Sequence, residues 1–280
     1  MSNIPEIATG QSEDLLKELH ILTRDGKLNQ DSRRKLKQVY HLYQFIAPLL
    51  NAVYADETDG APLVVDFGAG KSYLGFILYD LYLKHKQGGE VAGIETRAEL
   101  VEKSRALAAR LGFGRMRFLH LDAAAALETE ALPARVALVT ALHACDTASD
   151  DAIRFACARK SRFIVLAPCC QAEVAALLRR KKNETFGKTP LSELWRHPLH
   201  TREFGSQLTN ALRCLQLEAA GYQLSVTELV GWEHSLKNEL IIARYTGAPR
   251  GNAAERIGEI LRALNLEELR FRFLPGGNEV

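Results

Sequence analysis

The sequence predicts an α/β fold, a doubly wound and mostly parallel sheet with a helical N-terminal appendage. From about residue 62 onwards, short apolar segments alternate with amphipathic helical segments, which is typical of parallel sheets covered by helices on both faces. One apolar segment runs into Gly68-Ala69-Gly70 and then into a helix. The last two segments alternate apolar and polar residues, which indicates an antiparallel hairpin that closes the sheet.

The N-terminal part is predicted to be helical. Apolar residues recur at helical spacing over residues 13–24 and again over residues 31–53. Pro48 is expected to kink the second helix or to end it. A polar, glycine-containing segment follows this helix and is the best candidate for a domain boundary. The predicted domains are residues 1–58, a helical appendage, and residues 59–280, the main domain.

In the main domain, the predicted strands and helices alternate, and Gly or Pro residues separate several of them. The predicted strands cover residues 62–67, 91–95, 116–120, 136–142, 163–167, 222–229 and 240–245, and the predicted helices cover residues 72–86, 97–111, 148–159, 207–220 and 253–264.

The composition is that of an ordinary globular protein, with 47% hydrophobic and 25% charged residues. A formal net charge of +2 excludes a globally basic nucleic-acid binder, so any such binding must depend on a local patch. No apolar stretch approaches the roughly 20 residues of a membrane span, so no membrane partner is expected. The five cysteines are an odd number, which indicates free thiols in a reducing compartment, by default the cytoplasm.

The glycine turn predicts a nucleotide-like ligand, because glycines let the backbone approach it closely. A Walker A loop would need a glycine where Val65 stands, and a dinucleotide fingerprint would need one at Tyr73. Asp66, beside Gly68 and Gly70, would repel phosphates but attract the cationic sulfonium of S-adenosylmethionine (SAM). We therefore expect SAM as cofactor, with these three residues around its methionine part. NAD and a purely structural turn remain alternatives.

This segment resembles motif I of class I SAM-dependent methyltransferases, which have a Rossmann-like fold: a hydrophobic strand, an acid, then x-Gly-x-Gly. Glu95 ends the second predicted strand, where a ribose-binding acid is expected. Asp122-Ala123 follows the third strand and resembles the acidic motif that holds the adenine amino group. The alternatives are that Glu95 lies on the surface and that Asp122 caps a helix.

The fourth and fifth predicted strands end near His143, Cys145, Asp146, Cys169 and Cys170. These strands are neighbours in a methyltransferase sheet, so the five residues are the candidate catalytic group. A cysteine could add to C6 of a pyrimidine, as in RNA cytosine-5 methyltransferases. A zinc site and a packed motif that shapes the acceptor pocket are alternatives. A hydroxyl acceptor would benefit from a base, either His143 or Asp146.

These residues also resemble a more specific group, the tRNA 2′-O-methyltransferases, over about residues 60 to 245. That group has a His-x-Cys-Gly-x-Ala-Thr-Asp motif before a Cys-Cys-His motif, and this chain has residues 143–150 and then Cys169-Cys170. Asp146 and Gln171 replace the glycine and the final histidine. The resemblance implies an RNA acceptor, tRNA or rRNA, methylated on ribose or base. A protein or small-molecule acceptor, and a non-catalytic RNA-binding protein, are the alternatives.

A basic segment opens the second predicted helix. Arg34, Lys35 and Lys37 are interleaved with Tyr40 and Tyr43. Basic residues could follow a phosphate backbone while aromatic rings stack on bases, so the three basic residues are the predicted substrate contacts. The alternative is a solvated helix face whose aromatic residues lie in the core. No stable protein partner can be inferred.

Overall fold

The computed structural model describes residues 6–56, 61–142, 147–168, 172–181, 193–194, 196–229 and 239–274. Within them, seven strands form one sheet. The strands are β1 (Leu63–Phe67), β2 (Glu90–Glu95), β3 (Met116–His120), β4 (Leu138–Ala141), β5 (Phe163–Leu166), β6 (Tyr222–Glu228) and β7 (Glu239–Tyr245).

The strand order is β3-β2-β1-β4-β5-β7-β6. Strands β1 to β5 are parallel, whereas β7 runs antiparallel to both β5 and β6. Chain order reverses between β1 and β4, which is the position where doubly wound sheets bind their ligands. The predicted fold class, including the closing hairpin, is confirmed.

Helices cover the sheet, and the first two helices precede β1 in the chain. They are α1 (Glu13–Glu18), α2 (Gln30–Tyr54), α3 (Tyr73–Leu81), α4 (Ala98–Arg110), α5 (Ala123–Glu128), α6 (Ala148–Ala158), α7 (Glu173–Arg180), α8 (Pro198–Ala219), α9 (Ala253–Ala263) and α10 (Arg270–Phe273), with 3₁₀ turns at Leu83–His85 and Glu267–Leu269.

Several helices differ from the sequence prediction, and one of them, α3, was predicted over residues 72–86 but ends at Leu81, before the 3₁₀ turn at Leu83–His85. Helix α1 ends at Glu18, because His20 adopts a left-handed conformation (φ 55°) and the N–H groups of the next two residues return to the Leu16 carbonyl. Helix α2 continues through Pro48, and its buried apolar residues hold it on both sides of that proline. Helix α8 begins at Pro198, in the first turn where proline is tolerated. The sequence patterns did not predict α5, α7 and α10.

The N-terminal helices pack into the same apolar cluster as one face of the sheet. Leu15 and Ile46 are fully buried there together with Phe76 and Ile77 of α3. Polar contacts strengthen this junction. The buried Asp80 carboxylate of α3 accepts the Ser12 N–H at 2.9 Å and also pairs with the Lys84 ammonium, which donates to the Gly10 carbonyl. The expected boundary near residue 58 lies outside the described residues.

Candidate functional site

The turn after β1 depends on left-handed backbone conformations. Gly68 and Gly70 have φ values of +64° and +59°, which glycine adopts without steric cost. Ser72 is also left-handed, with φ of +50°, and its N–H donates to the Ala69 carbonyl at 2.6 Å. The turn therefore folds tightly between the end of β1 and the start of α3, at the point where the strand order reverses.

Asp66 supports this turn from beneath. Its side chain is 3% exposed; one oxygen accepts the Ser72 hydroxyl at 3.1 Å, and the other accepts the Thr140 hydroxyl of β4 at 3.1 Å. Burial raises the pKa of Asp66 to about 6, although these two hydroxyls and the Gly75 N–H act to lower it. The carboxylate thus joins β1, β4 and the first turn of α3.

Gly75 allows the close packing of α3 on the sheet. A Cβ atom at this position would lie 2.4 Å from the Ser72 hydroxyl oxygen and 3.2 Å from a methyl carbon of Val91. Tyr73, which occupies the position of the third glycine in a dinucleotide fingerprint, instead donates its hydroxyl to the Leu19 carbonyl at 2.7 Å. The tyrosine therefore anchors the N-terminal part and does not obstruct the packing of strand and helix.

A cavity of about 290 Å³ lies at the carboxyl ends of β1, β2 and β3, beside the start of α6. Three of the predicted cofactor residues, Gly68, Glu95 and Ala123, line it. Its apolar walls and its polar groups come from both sides of the reversal in strand order. The other lining residues are Phe67, Ile94, Thr96, Arg97, Leu121, Ala148 and Asp151. We call this space the switch-point cavity.

Glu95 is fixed in the wall of the switch-point cavity and is only 7% exposed. One carboxylate oxygen accepts the Gly70 N–H at 2.7 Å, and the other accepts the backbone N–H and the Nε of Arg97 at 3.0 and 2.9 Å. Burial acts to raise the pKa of Glu95, but the hydrogen bonds from Arg97 and Gly70 outweigh it, so the pKa lies below its ordinary value. The group is an ionised carboxylate in a defined orientation.

Two charged residues of the switch-point cavity, and also Thr96, were not predicted from the sequence. Arg97 directly follows β2 and holds Glu95. Asp151 lies in the first turn of α6, and burial, together with the neighbouring Asp150, raises its pKa above the ordinary value against the lowering effect of Arg154. The signal for Asp151 was its place just after the fourth strand, because a helix that starts there directs its first turn at the reversal point.

Asp122 and Ala123 take different positions. The Asp122 side chain accepts the Ala125 N–H at 2.8 Å as the N-cap of α5, and it is exposed. Ala123 lines the switch-point cavity, whereas Asp122 is not among its lining residues. In the structure Asp122 therefore caps a helix, as the alternative prediction had it.

The predicted catalytic residues His143, Cys145, Asp146, Cys169 and Cys170 lie outside the described residues. Two other cysteines are described, Cys157 and Cys214, and both are free thiols. Burial raises the pKa of each to about 12, so neither thiol is a ready nucleophile at neutral pH.

The basic segment of α2 has a mixed environment. Arg34 lies 3.7 Å from the Asp31 carboxylate, whereas Lys35 and Lys37 are exposed. The tyrosines between them are engaged elsewhere: Tyr40 accepts the Ala8 N–H at 2.8 Å, and Tyr43 donates to the Leu81 carbonyl at 3.3 Å. Both rings are partly buried, so the interpretation of these two tyrosines as a base-stacking surface is not supported.

The residues of the switch-point cavity fit SAM. The apolar side chains of Ile94, Leu121 and Ala148 suit a flat adenine, and the ionised Glu95 carboxylate suits a ribose diol, which offers two hydroxyl donors. Gly68, which lines the cavity, has no Cβ to obstruct a close ligand. Among the described helices, none combines the length and apolar character needed to cross a bilayer.

Comparison with solved structures gives distant likenesses. Magnesium protoporphyrin IX methyltransferase of Synechocystis PCC 6803 shares 15% identity, over 83% of this chain and 93% of its own, with a TM-score of 0.44. An rRNA methylase of Streptococcus thermophilus shares 10% over 67% and 88%, with a TM-score of 0.41. Fibrillarin of Aeropyrum pernix, solved with bound SAM, shares 12% over 65% and 66%, with a TM-score of 0.40.

No curated protein sequence matches this chain significantly. A family model described as a methyltransferase domain matches residues 34–177, just over half of the 280 residues. The matched range runs from α2 to α7 and includes the glycine turn, Glu95 and the switch-point cavity. The chain therefore belongs to this methyltransferase domain family, and it is an enzyme that uses S-adenosylmethionine as its cofactor.

Proposed function

We propose that the switch-point cavity holds SAM and that the enzyme methylates RNA. The observation that carries the cofactor part is the Glu95 carboxylate, which is ionised, oriented by Gly70 and Arg97, and placed in a cavity with apolar walls. In this proposal Glu95 accepts hydrogen bonds from the ribose, and Gly68 and Gly70 border the methionine part. Ala123, and Asp122 through the α5 N-terminus that it caps, lie on the adenine side.

Charge in the cavity favours a cationic ligand. Glu95 and Asp151 are both acidic and line the same space, with Arg97 held against Glu95 at 2.9 Å. Asp66 contributes indirectly, as a positioning residue that shapes the turn through Ser72 and Thr140. The selectivity for a sulfonium over a phosphate therefore comes from the two acids of the wall, while Asp66 supports the turn that they face.

Methyl transfer needs positioning more than acid–base power. SAM, when bound, supplies a methyl group on a sulfonium that is already a good leaving group. We propose that His143 or Asp146 takes the proton of a hydroxyl acceptor, and that Cys145, Cys169 and Cys170 border the acceptor. This assignment rests on the sequence motifs and on the position of these residues directly after Leu142 and Pro168, the last described residues beyond β4 and β5.

Two observations support RNA as the acceptor. Lys35 and Lys37 are exposed on α2 and have no carboxylate partner within the part of the chain that the structure describes. Arg34 extends this basic surface, although Asp31 partly neutralises it. The second observation is the resemblance of residues 143–150 and Cys169-Cys170 to tRNA 2′-O-methyltransferases. Contacts of Lys35 and Lys37 with RNA phosphates would supply affinity without sequence selectivity.

The test is transfer of label from tritiated SAM to separated cellular fractions of RNA, protein and small molecules. We expect label in RNA with the wild-type protein and none with Glu95→Ala, which loses the proposed ribose contact. Label confined to protein or to small molecules would overturn the RNA assignment. Unchanged SAM binding by Glu95→Ala, measured by calorimetry, would overturn the assignment of the switch-point cavity as the cofactor site.

A further inference from the structure

A second cavity, of about 340 Å³, lies between the N-terminal helices and α3, on the other face of the sheet from the switch-point cavity. Its walls are aliphatic, and its polar lining residues are Lys35 and Gln38 of α2 and Tyr73 of α3. The aliphatic lining residues are Ile21, Val39, Leu42, Leu74, Ile77 and Leu142. We call this space the α2–α3 cavity.

The α2–α3 cavity reaches the same reversal point as the cofactor site. Tyr73 and Leu74 follow directly after the glycine turn, and Leu142 follows directly after β4. The two cavities are therefore separated by the turn from Gly68 to Ser72, and each lies beside the carboxyl ends of the central strands. A molecule in the α2–α3 cavity would lie across the glycine turn from the proposed cofactor site and would contact Leu142, which follows β4.

The charge at this cavity is unbalanced. Arg33 and Arg34 have carboxylate partners, Glu6 at 3.0 Å and Asp31 at 3.7 Å. Lys35 lines the cavity, is exposed, and has no such partner among the described residues. A cation beside an apolar cavity fits an occupant with an apolar body and an anionic group next to it. A nucleotide unit of RNA has this combination, since the base offers two apolar faces and the phosphate carries the charge.

We propose that the α2–α3 cavity receives one unstacked nucleobase of the RNA acceptor and that Lys35 pairs with a phosphate beside it. The inference rests on the proposed RNA function and names the part of the RNA that this site binds. The aliphatic walls would contact the faces of any base. Binding should therefore require a base but tolerate a change in its identity.

The first test fills the cavity. Val39→Trp places an indole in the cavity from its α2 wall, and Gln44→Trp adds the same side chain on the exposed side of α2. The probe is a short mixed-sequence single-stranded RNA, compared with the same backbone carrying abasic sites. We expect Val39→Trp to weaken binding of the intact RNA about tenfold, because the apolar surface of one base is no longer buried. Gln44→Trp should bind like the wild type, and the abasic RNA should bind all three proteins equally weakly.

The second test removes the charge. Lys35→Gln should lower the slope of log affinity against log salt by about 0.7, the value for one phosphate contact to a single strand. Lys103→Gln, an exposed lysine on α4, should leave the slope unchanged. Calorimetry with SAM shows whether each variant retains the fold, because the switch-point cavity does not include these positions.

The outcomes separate the two proposals. If wild-type protein and Val39→Trp label RNA equally, with equal affinities, the RNA function stands and the base-binding cavity is wrong. If the wild-type protein binds intact and abasic RNA with equal affinity, the base-binding cavity is also wrong. This result does not depend on whether any variant folds. If RNA takes up no label while an amphipathic small anion does, both proposals fall.

Discussion

Asp66 and Glu95 are both nearly buried, near the carboxyl ends of the neighbouring strands β1 and β2, yet their pKa values move in opposite directions. Asp66 receives two hydroxyls and one backbone N–H, and burial raises its pKa to about 6. Glu95 receives a guanidinium and two backbone N–H groups, which hold its pKa below the ordinary value. Asp66 is the more deeply buried and has no cationic partner, so its pKa rises, whereas the less deeply buried Glu95 is held as a permanent anion by Arg97 and the backbone N–H groups.

The largest expected effect concerns the pH dependence of stability. The folded-state pKa of Asp66 is raised from 3.8 to about 6, so between those values the folded protein keeps a proton that the unfolded chain loses. Stability therefore falls as pH rises through this window, by about 3 kcal/mol at roughly 1.4 kcal/mol per pKa unit. Asp66→Asn cannot ionise and should lack this fall.

The measurement is urea unfolding of both proteins from about pH 4 to pH 7. The free energy of unfolding of Asp66→Asn, relative to wild type, should rise by about 2–3 kcal/mol across the range. Parallel curves would mean that Asp66 ionises normally in the folded protein. Asp25→Asn, at a turn near the N-terminus, is the control and should follow the wild type, because Asp25 is exposed.

The second effect concerns the cofactor. Glu95→Gln keeps the shape of the side chain but removes the negative charge that pairs with Arg97 and that would accept the ribose hydroxyls in the proposed site. We expect SAM affinity to fall about 30-fold, since a hydrogen bond to a charged group contributes about 2 kcal/mol. Calorimetry with SAM measures it. Glu90→Gln, at the exposed start of the same strand, should bind SAM like the wild type. Equal loss in both variants would assign the effect to the strand and not to the site.

The smallest effect sharpens the charge assignment. Asp151→Asn should weaken SAM binding about threefold to tenfold at neutral pH, because one of the two acids of the cavity wall is removed. Burial raises the Asp151 pKa, so as the pH falls the wild-type carboxyl takes up a proton before an ordinary aspartate would. The difference between the proteins should then shrink as pH falls. A difference that is constant with pH would place the role of Asp151 in packing and not in charge.

Sequence patterns predicted the sheet, the glycine turn, Glu95 and the cofactor, because strand–turn–helix chemistry is local. They did not predict how the acidic side chains near the turn are engaged. The contact of Asp66 with the sulfonium stays a prediction, and the structure shows that the hydroxyls of Ser72 and Thr140, the latter 74 residues away, engage its carboxylate. Asp151 was missed, since its place in the wall of the switch-point cavity depends on how α6 packs against the sheet.

Tyr73 illustrates the same limit. It stands where a dinucleotide fingerprint has its third glycine, which lets strand and helix pack closely. The packing instead uses Gly75, where an added Cβ would lie 2.4 Å from Ser72. A one-turn motif cannot show which residue of a helix faces the strand, because that depends on the rotation of the whole helix.

The assignments of His143, Cys145, Asp146, Cys169 and Cys170 stay predictions.

The Asp80 contacts have a consequence for shortened forms of this enzyme. Removal of the N-terminal helices would take away the Ser12 N–H and the Gly10 carbonyl, which help to satisfy Asp80 and Lys84. It would also expose Phe76 and Ile77 to water. A shortened enzyme that keeps only the sheet and its crossover helices would therefore expose an apolar surface on α3 and be prone to aggregate. The N-terminal helices are thus part of the folded core of the enzyme.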